Sequence, residues 1–144
     1  MSASRKVVSV VRQWVIKAEN DLRNAEHTLT LKENCPYDTV CFHAQQCVEK
    51  YLKGLLTFAG VDFPKIHDIG EIIRLVPTRF KIPIDPASQE KLTDFATVNR
   101  YPGEWEPVER TDAEAAVAKA REVRKSVREF LPKESLMLPI PPLE

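Results

Sequence analysis

The chain has 144 residues, 43% hydrophobic and 29% charged, which is the size and make-up of one soluble globular domain with a real core. Its 21 basic and 21 acidic residues cancel, so no global field draws it to nucleic acid, and its four glycines argue against an all-β fold rich in tight turns. Cys35, Cys41 and Cys47 form neither a disulfide framework nor a zinc-ligand spacing, and no apolar run is long enough to span a membrane. The N-terminal apolar run is interrupted by Arg12 and lacks a signal-peptide core. The expectation is a reduced, cytoplasmic protein with no metal site and no membrane association.

A first helix is expected from about Val8 to about Leu31, with Val7, Val11, Trp14, Val15, Ala18, Leu22, Ala25 and Leu29 as its buried stripe. Lys17, Glu19, Asp21, Arg23 and Glu26 are placed mostly off that stripe. Glu33 to Pro36 breaks the pattern. A second helix opens at Pro36–Asp38 and stops at Gly60. Its core face is Val40, Ala44, Cys47, Val48, Tyr51, Leu52, Leu55, Leu56 and Ala59. On another face His43, Gln46, Lys50 and Lys53 step by three and four, which lines them up as one ridge of donors and cations. The short connection predicts that the two helices are antiparallel.

Val61 to His67 reads as a loop, and Asp68 with Glu71 as a capping box opening a third helix that Pro77 ends. The prolines between Thr78 and Asp85 predict an ordered loop rather than a strand. Asp85–Pro86 opens a fourth helix carrying Leu92, Phe95 and Ala96, which finishes near Asn99 to Gly103. Tyr101 and Trp105 in the following loop are anchors onto the domain or stacking surfaces for a ligand. Thr111 and Glu114 read as a capping box for a fifth helix that runs to about Leu131 and is stopped by Pro132. The result is an all-α, up-and-down bundle of four to five helices over residues 1–131, followed by an extended, proline-rich tail over 132–144.

The ridge of His43, Gln46, Lys50 and Lys53 has two readings: a solvated face, with Glu49–Lys53 as an ordinary ion pair, or a ligand-binding edge. His67, beside Asp68 at a helix entrance, either holds an anion or caps and packs. Arg100, before the rigid Tyr101–Pro102, either complements a helix C-terminus or offers a fixed fork to phosphate. Lys119, Arg121, Arg124, Lys125 and Arg128 on the fifth helix, with Glu122 and Glu129 interspersed, read mainly as a solvated face.

Four stretches together resemble the HEPN domain over about residues 10–131: AENDLRNAEHTL (Ala18 to Leu29), FHAQQCVEKYLKGLL (Phe42 to Leu56), FPKIHDI (Phe63 to Ile69) and NRYPGEW (Asn99 to Trp105). The resemblance implies an all-α bundle, often a homodimer, encoded beside a small nucleotidyltransferase-fold partner in toxin–antitoxin-like pairs. Some members of the family are metal-independent ribonucleases with an Arg followed four to six residues later by His. Here Arg100 is followed by YPGEWEPVER, and no histidine occurs after His67. Arg23 and His27 have the spacing but lie on the first helix, so the match is taken as chance.

No catalytic residue is therefore assigned. The resemblance implies a nucleotide- or RNA-binding set of Lys50, Lys53, His67, Arg100 and Tyr101, with His43 and Gln46 on the same ridge and no other cofactor. Lys50, His67 and Arg100 carry the family pattern best, and they read equally as a ligand-binding set or as a structural network tying the loops to the second helix. A ribonuclease that draws its imidazole from His43 or His67, and a purely structural interaction protein, stand as the alternatives.

Overall fold

A computed structural model describes residues 4–95 and 107–137. Six helices occur among the described residues and no strand: α1 (Arg5–Leu29), α2 (Tyr37–Ala59), α3 (Ile69–Leu75), α4 (Pro86–Asp94), α5 (Arg110–Phe130) and α6 (Lys133–Leu136). The all-α bundle expected from the periodicity is the fold observed. Ser4 caps α1 through Val7 N–H, Asp68 caps α3 through Glu71 N–H, and Asp85 caps α4 through Ser88 N–H. Gly60 closes α2 at φ 74°, a left-handed conformation that a Cβ would strain.

Side-chain pairs fix the directions of the long helices. Trp14 lies against Gly54, and Asp21 meets Lys50 and His43, so α1 and α2 are antiparallel. Glu26 pairs with Arg121 and Glu19 with Arg124, so α1 and α5 are antiparallel too. The α3–α4 segment carries the chain back, and α2 and α5 run the same way. A Cβ at Gly54 would sit 3.2 Å from Trp14 Cβ, so glycine is what lets α1 and α2 approach so closely there.

α2 is the central rod. Val40, Cys41, Ala44, Cys47, Val48, Tyr51, Leu52, Leu55 and Leu56 are fully buried, facing Val11, Val15 and Ala18 of α1 and Val117, Ala120, Val123 and Val127 of α5. Burial pushes the Cys41 thiol up to about 12, so it packs as a small apolar group. Burial raises the Cys47 thiol further still. Arg110 joins the ends of three helices: its guanidinium donates to Leu31 O at 2.9 Å past the end of α1 and lies over the Tyr37 ring of α2.

Three expectations change. Helix α5 starts earlier than Thr111: Glu109 is the N-cap, and its N–H donates to Asp112 at 3.0 Å, so the Thr111–Glu114 box is displaced by a Glu109–Asp112 pair. The start of the tail is not extended. Pro132 opens the single turn α6, closed by Ser135 Oγ donating to Pro132 O at 2.6 Å, and Arg12 of α1 donates to Glu134 O at 3.1 Å. The basic face of α5 is not simply solvated. Arg121 and Arg124 bind carboxylates of α1, and Arg128 donates to Tyr51 Oη at 3.2 Å.

Candidate functional site

Helix geometry puts His43, Gln46 and Lys50 on one edge of α2, and the structure sets two carboxylates against that edge. Asp21 of α1 is the first. Its Oδ1 lies 2.8 Å from His43 Nδ1, and its Oδ2 accepts from Lys50 Nζ at 2.5 Å. Glu49 of α2 is the second. Its Oε2 accepts from Lys53 Nζ at 3.0 Å, and its Oε1 lies 3.0 Å from His67 Nδ1. Each carboxylate thus holds one lysine and one imidazole.

A hydrogen-bonded link extends from the second set toward the first. Gln46 Nε2 donates to Gln45 Oε1 at 2.8 Å, and Gln45 Nε2 donates to Glu49 Oε1 at 3.2 Å. Gln45 is fully buried, and its amide also reaches His67 O at 3.4 Å, so every part of this interior network has a partner.

The two sets differ in depth. Glu49 and Lys53 are 4% and 7% exposed, whereas His67 is 67% exposed. Trp14 and Phe63 roof Lys53, with ring centroids 5.8 and 5.9 Å from its Nζ. The loop after α2 is therefore pinned at both ends, by Phe63 against Trp14 and by His67 against Glu49. Lys50 and His43 are about a quarter exposed over a nearly buried Asp21, and the Phe42 ring meets the His43 ring edge-on at 5.3 Å.

This arrangement assigns different chemistry to the lysines and the histidines. Two carboxylates offset two lysines, so the charge of the whole assembly is the charge of its imidazoles. A carboxylate can only accept, so Nδ1 carries the proton in both rings. Nε2 is then left to accept a proton or, once protonated, to donate one, and no described group hydrogen-bonds it in either ring. Both lysines are held on carboxylates, Lys53 buried and Lys50 about as exposed as His43. Each imidazole keeps its Nε2 without a partner among the described groups.

A third network lies across the core. The Tyr51 phenol is fully buried and receives a hydrogen bond from Arg128. Glu19 accepts from Arg124 at 2.8 Å through both oxygens. Burial alone would raise the Glu19 carboxyl; the hydrogen bonds from Arg124 and Tyr51 and the charges of Arg124 and Arg128 outweigh it and hold the group below its ordinary range.

Of the residues singled out in the sequence, His43, Lys50, Gln46, Lys53 and His67 fall on one connected stretch of α2 and its following loop. Arg100, Tyr101 and Trp105 lie outside the described residues. Glu49–Lys53 is not an ordinary surface pair but a buried one. Asp21, placed off the stripe by sequence, is buried at the centre of the first set. The missed residues Asp21, Glu49 and Gln45 had a signal: Ala18, Asp21 and Ala25 step by three and four, and Cys41, Gln45, Glu49 and Lys53 step by four, so both rows run alongside apolar ones.

A family model described as the HEPN domain matches residues 11–130. The chain belongs to the HEPN domain family. A Methanocaldococcus jannaschii protein named "Putative toxin MJ1304" is 31% identical over 142 aligned positions, covering 86% of this HEPN chain and 90% of the relative. Among solved structures, TT1696 from Thermus thermophilus is 29% identical, with a TM-score of 0.71 over 84% of this chain and 98% of that one. ST0689, an archaeal HEPN homologue, is 27% identical, with a TM-score of 0.60 over 83% of this chain and 96% of that one. Among the described residues of the HEPN chain no helix is long and apolar enough to cross a membrane, and no group of three or more His, Cys, Asp or Glu is placed to hold a metal ion.

Proposed function

We propose that this HEPN protein is the toxin-type member of a toxin–antitoxin-like pair, and that the outer edge of α2 binds the phosphates of a nucleotide. The observation that carries the reading is the matched pair of imidazoles, His43 and His67, each held at Nδ1 by a carboxylate that also neutralises a lysine. A protonated imidazole presents a donor and a positive charge to phosphate at small desolvation cost, because the ring is already oriented. Gln46, at the same edge, offers an amide to a base or ribose, and Arg100 and Tyr101 are further candidates for the same ligand. The toxin role draws on the name of the archaeal relative. A homodimer and a small nucleotidyltransferase-fold partner complete the proposal.

Thermal unfolding with ATP, GTP and their di- and monophosphates tests the binding. A ligand at about a hundred times its dissociation constant stabilises by about 2.7 kcal/mol. The expected result is a rise in melting temperature for at least one nucleotide, abolished together in His43→Ala and His67→Ala. No shift with any of them at millimolar concentration refutes the nucleotide reading.

The Asp21–His43 hydrogen bond specifically favours a second reading, a metal-independent ribonuclease. A histidine so oriented can remove the proton from a ribose 2′-hydroxyl as that oxygen attacks the adjacent phosphorus, and a protonated imidazole can return a proton to the departing 5′-oxygen. RNA cleavage by the wild type and none by His43→Ala supports it. Equal cleavage by both proteins counts against it.

A further inference from the structure

Gln45 is fully buried, so its surroundings decide which way its amide points. Its nitrogen faces two groups that can only accept, Glu49 Oε1 at 3.2 Å and the His67 carbonyl at 3.4 Å. Turned over, the amide would set its oxygen against both. Gln45 Oε1 is therefore fixed on the other side, where it accepts from Gln46 Nε2 at 2.8 Å. Gln46 inherits the constraint. Turned over in its place, it would set oxygen against oxygen and leave a buried carbonyl without a donor. The Glu49 carboxylate thus decides, through two amides, which atom Gln46 has free. That atom is Oε1, which no described residue hydrogen-bonds, together with the one N–H that Gln45 does not use.

Gln46 is half-buried and lies on the α2 ridge between His43 and Lys50, one helical turn to either side. Both neighbours are held on Asp21. A glutamine that is free to turn its amide over suits a donor or an acceptor equally and separates bases poorly. One that is locked offers an acceptor and a single donor in a fixed order. Adenine fits that pair. Its N6 amino group donates, and the ring nitrogens on both sides of it accept, so a glutamine amide bonds it at two points. The outer edge of guanine presents O6 and N7, two acceptors, and would bring a lone pair against Gln46 Oε1.

We propose that Gln46 selects adenine at the α2 edge, and that Gln45 is a positioning residue that locks the Gln46 amide for this purpose. Base selection rests on the nucleotide-binding reading of the same edge, to which it adds the class of base and the two residues that set it. Gln45 itself meets no ligand, because it is fully buried. Its part is to pass on the acceptor-only character of Glu49 and the His67 carbonyl to a side chain at the surface.

Two measurements test the lock and the selection separately. In the protein without nucleotide, NMR of the side-chain amides reads the lock. The two proton signals of Gln46 are expected to lie further apart than those of Gln13, which is exposed on α1, and to draw together in Gln45→Met. A Gln46 separation no wider than that of Gln13 overturns the lock. Dissociation constants for ATP, GTP and purine riboside triphosphate, which lacks only the N6 amino group of ATP, read the selection. They are measured for the wild type, Gln45→Met and Gln46→Met. The wild type is expected to bind ATP about tenfold more tightly than either of the others. In both variants that ratio is expected to fall to near one. A variant that is merely less stable weakens all three ligands together, so the ratio within each protein carries the result. Equal affinity of the wild type for ATP and purine riboside triphosphate, tighter binding of GTP, or an unchanged ratio in either variant overturns adenine selection and leaves nucleotide binding standing. No binding of any of the three by the wild type overturns the nucleotide reading and adenine selection with it.

Discussion

Glu49 and Lys53 show how much a single position can carry. Both are nearly buried, and both are charged. Removing one partner of such a pair leaves the other charge in a low-dielectric site at a cost of about 3–5 kcal/mol, whereas replacing both with apolar groups is often close to neutral. Lys53→Met is therefore expected to lower the unfolding free energy by about 3 kcal/mol. Glu49→Leu should cost at least as much, because Gln45 and His67 lose their acceptor with it. The double variant should be more stable than either single one when measured by urea denaturation. Additive single losses would show that the pair is uncoupled. Sequence supplied the four-residue spacing of this pair but not its burial. A Glu–Lys step reads the same on a wet face as on a dry one. What dries it is the Trp14–Phe63 contact, which joins residues far apart in the chain.

Helix positions were the most legible feature, because periodicity and caps are local. Asp68, Asp85 and Gly60 act where their chemistry places them. What escaped was the pairing between elements. Glu19, Glu26, Arg121 and Arg124 look like solvated charges on their own helices, and become ties only once α1 and α5 are set antiparallel. The Glu19 tie has a pH signature. Its folded-state carboxyl titrates below the ordinary 4.5, so the stabilisation is complete above the unfolded value and fades as pH drops through the folded one. Urea midpoints measured from neutral to acidic pH should fall more steeply for the wild type than for Glu19→Gln, which starts lower at neutral pH. Parallel curves would mean that Glu19 contributes nothing to acid sensitivity.

On the scale of the whole molecule, a balanced composition conceals an uneven distribution. Carboxylates of α1 and α2 absorb the cations Lys50 and Lys53 of α2 and Arg121 and Arg124 of α5. No net charge or ridge spacing reveals this, because it depends on which helix faces which. The ridge on α2 was visible in the sequence as four polar residues; its division into carboxylate-held lysines and imidazoles with an unpartnered Nε2 was not. That division is the central claim. Its most direct measurement is a nitrogen–proton NMR titration of the imidazoles with the nucleotide that stabilises the protein best. The Nε2 signals of His43 and His67 should move together and saturate, while His27, exposed on α1, stays in place. Saturation of binding with both imidazole signals unmoved would contradict the account.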